Sequence, residues 1–398
     1  MLTRPISRSF IIALVAMLIL GNGALQSTWA RSHDDDGSKE DHDSAILTFS
    51  TVGDSRQDPV NFDPTTAPLS GQDAIWLQNT RAWSRIIRSI EDQRSNFLFF
   101  NGDMIMGYGK ASVPANNTTI AGIVNSDLLK FYQQYAFWRG MVAGLMEKST
   151  YVVPVPGNHE TQCKACGKKA QVENENAWRA NMGDLIFDNT RLLKLFGEAP
   201  DYENVGNNGT YDGLTTDQSK LSYSFDLEGS HFVVINTDPV GNDAHAPTNW
   251  LAADLSSAEA RGAQHFFVFG HKPAYTYYYG ANLPAGPSGL DNDPASRDAF
   301  WNVIEQYGAT YFCGHEHVFN MMQPRASQGG KAWQVLVGSG GSPFEASPTN
   351  TTFNHVTDRD YAWATVKVYR NGLVKMTAYG FNDHFGPTHV IKTITIHS

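Results

Sequence analysis

Five short apolar runs along the chain each end in residues able to hold a metal ion or carry a proton. Ala45 to Val52 stops at Gly53-Asp54-Ser55-Arg56, and Phe97 to Phe100 runs into Asn101-Gly102-Asp103. The run from Tyr151 is broken by Pro154, Pro156 and Gly157, and presents Asn158, His159 and Glu160. His265 to Phe269 ends in Gly270-His271-Lys272-Pro273, and Thr310 to Cys313 ends in Gly314-His315-Glu316-His317. Two carboxylates, one amide oxygen and three imidazoles suit borderline ions such as Zn, Mn or Fe better than Ca or Mg alone. An Asn beside a His sets a neutral oxygen ligand next to a proton donor. In His-x-His on a turning backbone the two rings diverge and can serve two neighbouring ions. Each motif alone is common; in this order, each after a buried strand, they argue for one shared site.

The elements that must position these residues follow from the hydrophobic pattern. Trp76 to Ile90 has apolar residues at helical spacing, and Leu128 to Met146 reads as a long amphipathic helix. Strand, helix, strand, helix, strand is the pattern of parallel connections. In such open sheets ligands sit beyond the carboxyl ends of the strands. Segment 161–220 breaks the rhythm, with one helical stretch near Ala177 to Phe196 among many Asn, Gly and Asp residues, and reads as an insertion over the strand ends. Leu221 to Leu227 and His231 to Asn236 form a hairpin turning at Glu228-Gly229. Trp250 to Ala260 and Ser296 to Tyr307 are helical, while Trp333 to Val337, Ala362 to Tyr369 and Leu373 to Tyr379 alternate like antiparallel strands.

A hydrophobic fraction of 41% over 398 residues supports a large core, and a formal net charge of −10 argues against a nucleic-acid-binding surface. Met1 to Ala30 has the pattern of an export signal: Arg4 and Arg8, an apolar stretch from Phe10 to Leu20, and small residues at Thr28-Trp29-Ala30. That stretch is short for a stable membrane anchor, so the expectation is an exported protein, periplasmic or secreted. Residues 31–44 form an acidic, flexible leader, and 45–398 the catalytic domain. In an oxidising compartment Cys163 and Cys166 read as a small disulfide, and Cys313 as a buried hydrophobe.

On Gly53-Asp54, Gly102-Asp103, Gly157-Asn158-His159-Glu160, Gly270-His271 and Gly314-His315-Glu316-His317, the sequence resembles the calcineurin-like metallophosphoesterases, nearest to their exported, purple acid phosphatase-like members. The resemblance implies an α/β (α+β) fold: a four-layer αββα sandwich of two mixed β-sheets flanked by helices. It implies a cofactor of two divalent or trivalent ions bridged by Asp103. Asp54 and His317 would hold the first ion, and Asn158, His271 and His315 the second. His159 would be the acid or electrostatic helper at the leaving group.

Two positions depart from the family pattern. Arg56 stands where the first motif usually has a His, and Met106 where the purple enzymes have a Tyr, with Tyr108 two residues further on. A guanidinium has no lone pair for a metal, but it can clamp phosphate oxygens. Either the first ion is held by Asp54, Asp103, His317 and water with Arg56 reaching the substrate, or Arg56 pairs with Asp54 and one ion remains. The presence of both Asp54 and His317 favours two ions, without a tyrosinate colour.

The chemistry is hydrolysis of a small-molecule phosphoester, with paired cations generating hydroxide near neutral pH and His159 assisting the leaving group. The alternative is a non-catalytic or single-metal phospholigand-binding protein on the same scaffold. The choice between monoester and diester falls to the loops Asn61 to Ser70, Gly107 to Asn117 and Thr161 to Lys220. Asp238, Asp243 and His245 follow the hairpin and read as solvated loop residues or as facing the site. Tyr275 and Tyr277 to Tyr279 read as a stacking wall for an aryl or nucleoside leaving group or as packing against the insertion, and Glu160 as orienting His159 or a group behind the metal ligands. His231, His265, His355 and His389 read as structural or exposed.

Overall fold

A computed structural model describes residues 44–56, 80–207, 210–277, 288–344 and 359–397. The export signal, the leader up to Asp43, the Asn61 to Ser70 loop, Tyr278, Tyr279 and His355 lie outside the described residues.

Phe97 and Phe99 point to one side of their strand while Leu98 and Phe100 point to the other, and all four are fully buried. A strand with no polar face must be covered on both sides, and two sheets and two helical layers provide that cover. The first sheet contains three parallel strands, β1 (Ala45–Val52), β2 (Phe97–Asn101) and β3 (Tyr151–Val155). Three antiparallel strands extend it beyond β1: β13 (Asp360–Tyr369), β14 (Val374–Asn382) and β15 (His389–His397). The order is β15-β14-β13-β1-β2-β3.

The second sheet is also mixed. Its parallel strands are β8 (Ser230–Val234), β9 (His265–Phe269), β10 (Thr310–Cys313) and β12 (Gln334–Val337). Antiparallel β6 (Tyr202–Asn207) and β7 (Gln218–Leu227) close one edge and β11 (Phe319–Met322) the other, giving β11-β12-β10-β9-β8-β7-β6. The hairpin turn at Glu228-Gly229 is present, with both residues at positive φ. One expectation is corrected here: β12, read as an antiparallel strand, pairs parallel with β10 and antiparallel with β11. Its four residues are all buried, so they carry no face alternation from which a direction could be read.

Between the sheets lies an aromatic core in which Phe49 meets Phe99, Phe232, Phe267, Phe269 and Phe312 edge-on, while Phe99 stacks on Phe269. Each ring so buried contributes roughly 1.5–3 kcal/mol. Outside the first sheet, α1 (Thr80–Asp92) buries Trp83, Ile86, Ile87 and Ile90. Beside it α3 (Asp127–Glu147) buries Phe131, Tyr135, Trp138, Val142 and Leu145 at three- and four-residue steps. Ahead of α3 runs the short α2 (Ile120–Val124), none of whose residues is buried. Outside the second sheet, α7 (Thr248–Arg261) and α8 (Pro294–Gln306) close a third core with Val233, Val268 and Tyr311.

Segment 161–220 begins where α4 (Asn158–Thr161) ends and contains a small hairpin, β4 (Gln162–Cys163) with β5 (Lys169–Ala170). The stretch read as one helix near Ala177 to Phe196 is two: α5 (Val172–Met182) and α6 (Asn189–Phe196). Gly183 caps the first, and Asp188 accepts from Arg191 N to cap the second. Trp178 and Met182 of α5 join the core under α1 and α3, so this part of the segment belongs to the helical layer.

Candidate metal centre

Asp54, Asp103 and His315 all sit just past the ends of strands with φ of 61°, 55° and 75°. Non-glycine residues in the left-handed region cost about 1–3 kcal/mol each and persist only where surrounding bonds hold them. The bonds are present: Asp54 N donates to Gly102 O, Arg56 N to Asp103 O, His315 N to Asp54 Oδ2, and Ser342 N to Asp54 O. The turns also need close backbone approach. A Cβ at Gly102 would stand 2.7 Å from Gly157 Cα and His271 Nδ1, and one at Gly314 would stand 2.3 Å from Asp54 Oδ2. Glycine at both positions lets the ends of β1, β2, β3, β9 and β10 converge.

Convergence brings the sequence-predicted ligands together. Ligand atoms of Asp54, Asp103 and His271 lie within 4.8 Å of one another, and all three residues are buried. His271 Nδ1 bonds the Asn101 carbonyl at 2.7 Å, which places its proton there. Its Nε2 faces Asn158 Oδ1 at 2.8 Å and Asp103 Oδ1 at 3.2 Å. His315 Nδ1 completes the group, 2.9 Å from Asn158 Oδ1 and 3.3 Å from His271 Nε2. Burial holds the His315 pKa well below its ordinary value, so this ring offers a lone pair. Two carboxylates, an amide oxygen and imidazole nitrogens meeting in one buried pocket form a donor set that fits a borderline metal ion. The amide of Asn158 is turned the right way because its Nδ2 donates to the Tyr108 hydroxyl at 2.5 Å.

A second acceptor pair lies alongside. His317 Nδ1 bonds the Pro343 carbonyl at 2.7 Å, turning Nε2 toward Asp54 Oδ1 at 3.6 Å. Asp103 lies between the two groups, with Oδ1 toward His271 and Oδ2 toward Arg56 Nε at 3.5 Å. Burial works against ionising Asp103, but the positive charge around it, the permanent guanidinium of Arg56 included, holds the carboxyl below the usual range.

Arg56 reaches Asp103 and His159. Its Nε donates to His159 Nε2 at 3.0 Å and faces Asp103, and among the described residues the buried Nη1 has no hydrogen-bond partner. His159 Nδ1 bonds the Met106 carbonyl, so both ring nitrogens are engaged. Burial lowers the His159 pKa to about 3 against the pull of Asp103, and the ring is neutral. Glu160 binds the turns rather than His159: its carboxylate accepts from the backbone N–H groups of Asp103, Met104, Ile105 and Gly157. Burial pushes its pKa up to about 8, and those donors pull the other way.

Three features were not read from sequence. Tyr108 reaches the site because Gly107 and Tyr108 both take positive φ, and its ring packs 3.8 Å from that of His159. Lys272, next to His271, forms a buried ion pair with Asp238, which also accepts from Gln162 and Ala244. Asp238 is therefore buried structure, not a solvated loop residue. Asp243 is likewise tied down, accepting from Gln162 Nε2 and Ala170 N. Tyr275 packs edge-on against Trp301 and bonds Arg325 instead of forming a substrate wall. The nearest advance signal for Tyr108 was its place two residues beyond Met106.

The family model described as calcineurin-like phosphoesterase matches residues 75–319. Among solved structures, the chain is similar to the purple acid phosphatase PPD1 from yellow lupin (Lupinus luteus) seeds, at 15% identity and a TM-score of 0.54. The match covers 90% of this chain and 55% of that one, so the chain spans about half the length of the lupin enzyme. It is also similar to a dimetal phosphatase from Danio rerio, at 12% identity and a TM-score of 0.49, over 89% of this chain and 99% of that one. At such identities the likeness is one of fold. No curated protein matches the chain.

Proposed function

The chain belongs to the calcineurin-like phosphoesterase family, and from that premise we propose that it is an exported hydrolase of phosphate esters with a two-ion site. In this reading His271, His315, Asn158 and Asp103 would hold one ion, and Asp54, His317 and Asp103 the other. The carrying observation is the convergence of Asp54, Asp103 and His271, with Asn158 and His315 beside them, in one buried pocket. Ions bound there would polarise the phosphoryl oxygens and acidify water.

The chain's own groups do the rest. Arg56, with its Nη1 inside the site and unpartnered among the described residues, binds an equatorial phosphate oxygen with a charge-assisted hydrogen bond. Asp103 and His159 brace that guanidinium by accepting at Nε. His159 is a neutral acceptor with Nδ1–H committed to Met106, so its help to the leaving group is electrostatic, exerted through Arg56. Glu160 fixes the turns carrying Asp103 and Asn158. Export rests on the pattern of Met1 to Ala30, and the Cys163–Cys166 disulfide suits an oxidising compartment.

The test is hydrolysis of an aryl phosphate and an aryl phosphodiester by the purified chain, before and after chelation and with Mn or Zn restored. Loss on chelation and recovery with metal are expected. Silence with every metal overturns the reading in favour of a phospholigand-binding protein on the same scaffold.

A further inference from the structure

From Lys110 to Tyr132 the chain exposes apolar side chains that the fold does not use. Val113 is 71% exposed, Ile120 82%, Ile123 43%, Val124 39% and Tyr132 40%, and no residue of α2 is buried. A folded chain seldom leaves such a concentration of aliphatic surface in water without a use for it. The same stretch borders a cavity of about 660 Å³ lined by Lys110, Lys130 and Lys164, with Tyr108 and the Cys163–Cys166 disulfide in its wall. The connection is direct: Ser126 N donates to Ile123 O, Ser126 caps α3, and Asp127 at the start of α3 accepts from Lys110 N. Tyr108, one of the residues lining that cavity, bonds Asn158 and packs on His159. An apolar crest, a cationic cavity and the acceptor cluster therefore follow one another along a continuous piece of structure.

We propose that this crest docks on an anionic lipid surface and that the cavity admits the phosphate ester of a lipid alcohol; the substrate half rests on the phosphoesterase reading. Charge complementarity selects the occupant. Lys110 and Lys130 have only exposed carboxylate partners, Glu173 and Asp127, and these exposed pairs exchange readily for lipid phosphates. Aliphatic residues beside lysines are the composition of an interfacial contact, not of a membrane-spanning one. Among the described residues no helix is long and apolar enough to cross a membrane, so the contact is reversible docking. In the reaction one water is consumed, the bond between phosphorus and the alcohol oxygen breaks, and a proton from water goes to the departing lipid alcohol. The phosphate product keeps the water oxygen.

The experiment compares the full chain with the double variant Ile120→Asp/Ile123→Asp in co-sedimentation with phosphatidylcholine vesicles, with and without phosphatidic acid or phosphatidylglycerol. Turnover of the vesicle phosphatidic acid and of a soluble aryl phosphate is followed in parallel, and thermal unfolding checks the fold of each variant. Wild type should prefer both anionic vesicles, and the double variant should bind at least about tenfold more weakly, because each buried isoleucine is worth about that factor. Lys164→Gln, which leaves the crest intact and removes one positive charge, should weaken binding about fivefold. Equal binding by wild type and double variant overturns the docking. So does a wild-type chain that cleaves the aryl phosphate yet ignores vesicles, which leaves the phosphoesterase reading standing. Binding without turnover of either ester keeps the docking and removes the substrate assignment. A wild-type dimer that the double variant splits assigns the crest to a second copy and overturns the lipid proposal.

Discussion

Two places in this molecule bury a histidine among aspartates, and they are built to opposite ends. His231 sits between Asp226 on β7 and Asp254 on α7, with Nδ1 on one carboxylate and Nε2 on the other at 3.0 Å. The remaining valences are met locally: Arg261 bonds Asp226, Ser224 and Asn204 bond Asp254, and the Phe266 ring packs against the imidazole. Burial disfavours charging the ring, but the two carboxylates outweigh it and raise the pKa, so the cluster supplies its own cation. His271 meets three oxygens, the Asn101 carbonyl, Asn158 Oδ1 and Asp103 Oδ1, and of these three one belongs to a carboxylate. Its Nδ1 faces the carbonyl and its Nε2 faces the two side-chain oxygens. A structural cluster closes its charge and hydrogen-bond account internally; a ligand site leaves a deficit for something outside the chain to fill.

That contrast breaks most sharply under paired substitution. His271→Ala should lower turnover by about 10³-fold or more, since several kcal/mol of charge stabilisation is lost with the ion. The metal-free variant should melt no lower than the metal-free wild type, because in this reading the ring serves the ion. His231→Ala should do the reverse. It strands two buried carboxylates and should cost about 3 kcal/mol of stability, with turnover per folded molecule unchanged. The sign of the pH effect follows from the raised pKa: the stabilisation from His231 is complete below about 6.5 and is lost as pH rises through the folded value. Melting curves between about pH 6 and pH 9 should therefore show the wild type losing more than His231→Ala. Equal losses would mean that the ring is not charged in the folded protein.

Arg56 sharpens the comparison from within the site, as a permanent cation placed beside the deficit. Arg56→Ala should lower kcat/KM by about 10²-fold through loss of a charged phosphate contact. If His159 acts through Arg56, the double variant with His159→Ala should be hardly worse than either single one. Additive losses would return to His159 an independent role at the leaving group.

The parts of this design that were legible from sequence are those set by residue type and strand order. Apolar runs ending at Asp54, Asp103, Asn158, His271 and His315 announced parallel strands with ligands at their carboxyl ends, and the parallel pairings of β1, β2 and β3 and of β8, β9 and β10 follow that pattern. Details that depend on backbone in the left-handed region were not legible. Nothing in Gly107-Tyr108 states that both residues take positive φ and swing the phenol onto Asn158. Long-range partners were hidden for a related reason: Asp238 looks solvated in the chain and is buried because Lys272 and Gln162 arrive from other elements. The direction of β12 was lost because a strand buried on both faces carries no alternation.

The smallest effect tests how firmly the deficit is aimed. Tyr108 accepts the Nδ2–H of Asn158, which leaves Oδ1 pointing at His271 and His315. Burial raises the phenol pKa well above its ordinary value, so it stays protonated and serves as an orienting group. Tyr108→Phe removes that acceptor and lets the amide turn its Nδ2 toward two imidazole lone pairs. Partners that orient a ligand are worth about 10–100-fold in metal affinity, and a single neutral hydrogen bond belongs near the lower end. The expected signature is a loss of about tenfold in activity at limiting metal, with kcat restored once metal is saturating. If Tyr108 instead acts on the departing alcohol, the loss will persist at every metal concentration. Titrating metal against turnover for the wild type and the Phe variant separates the two cases.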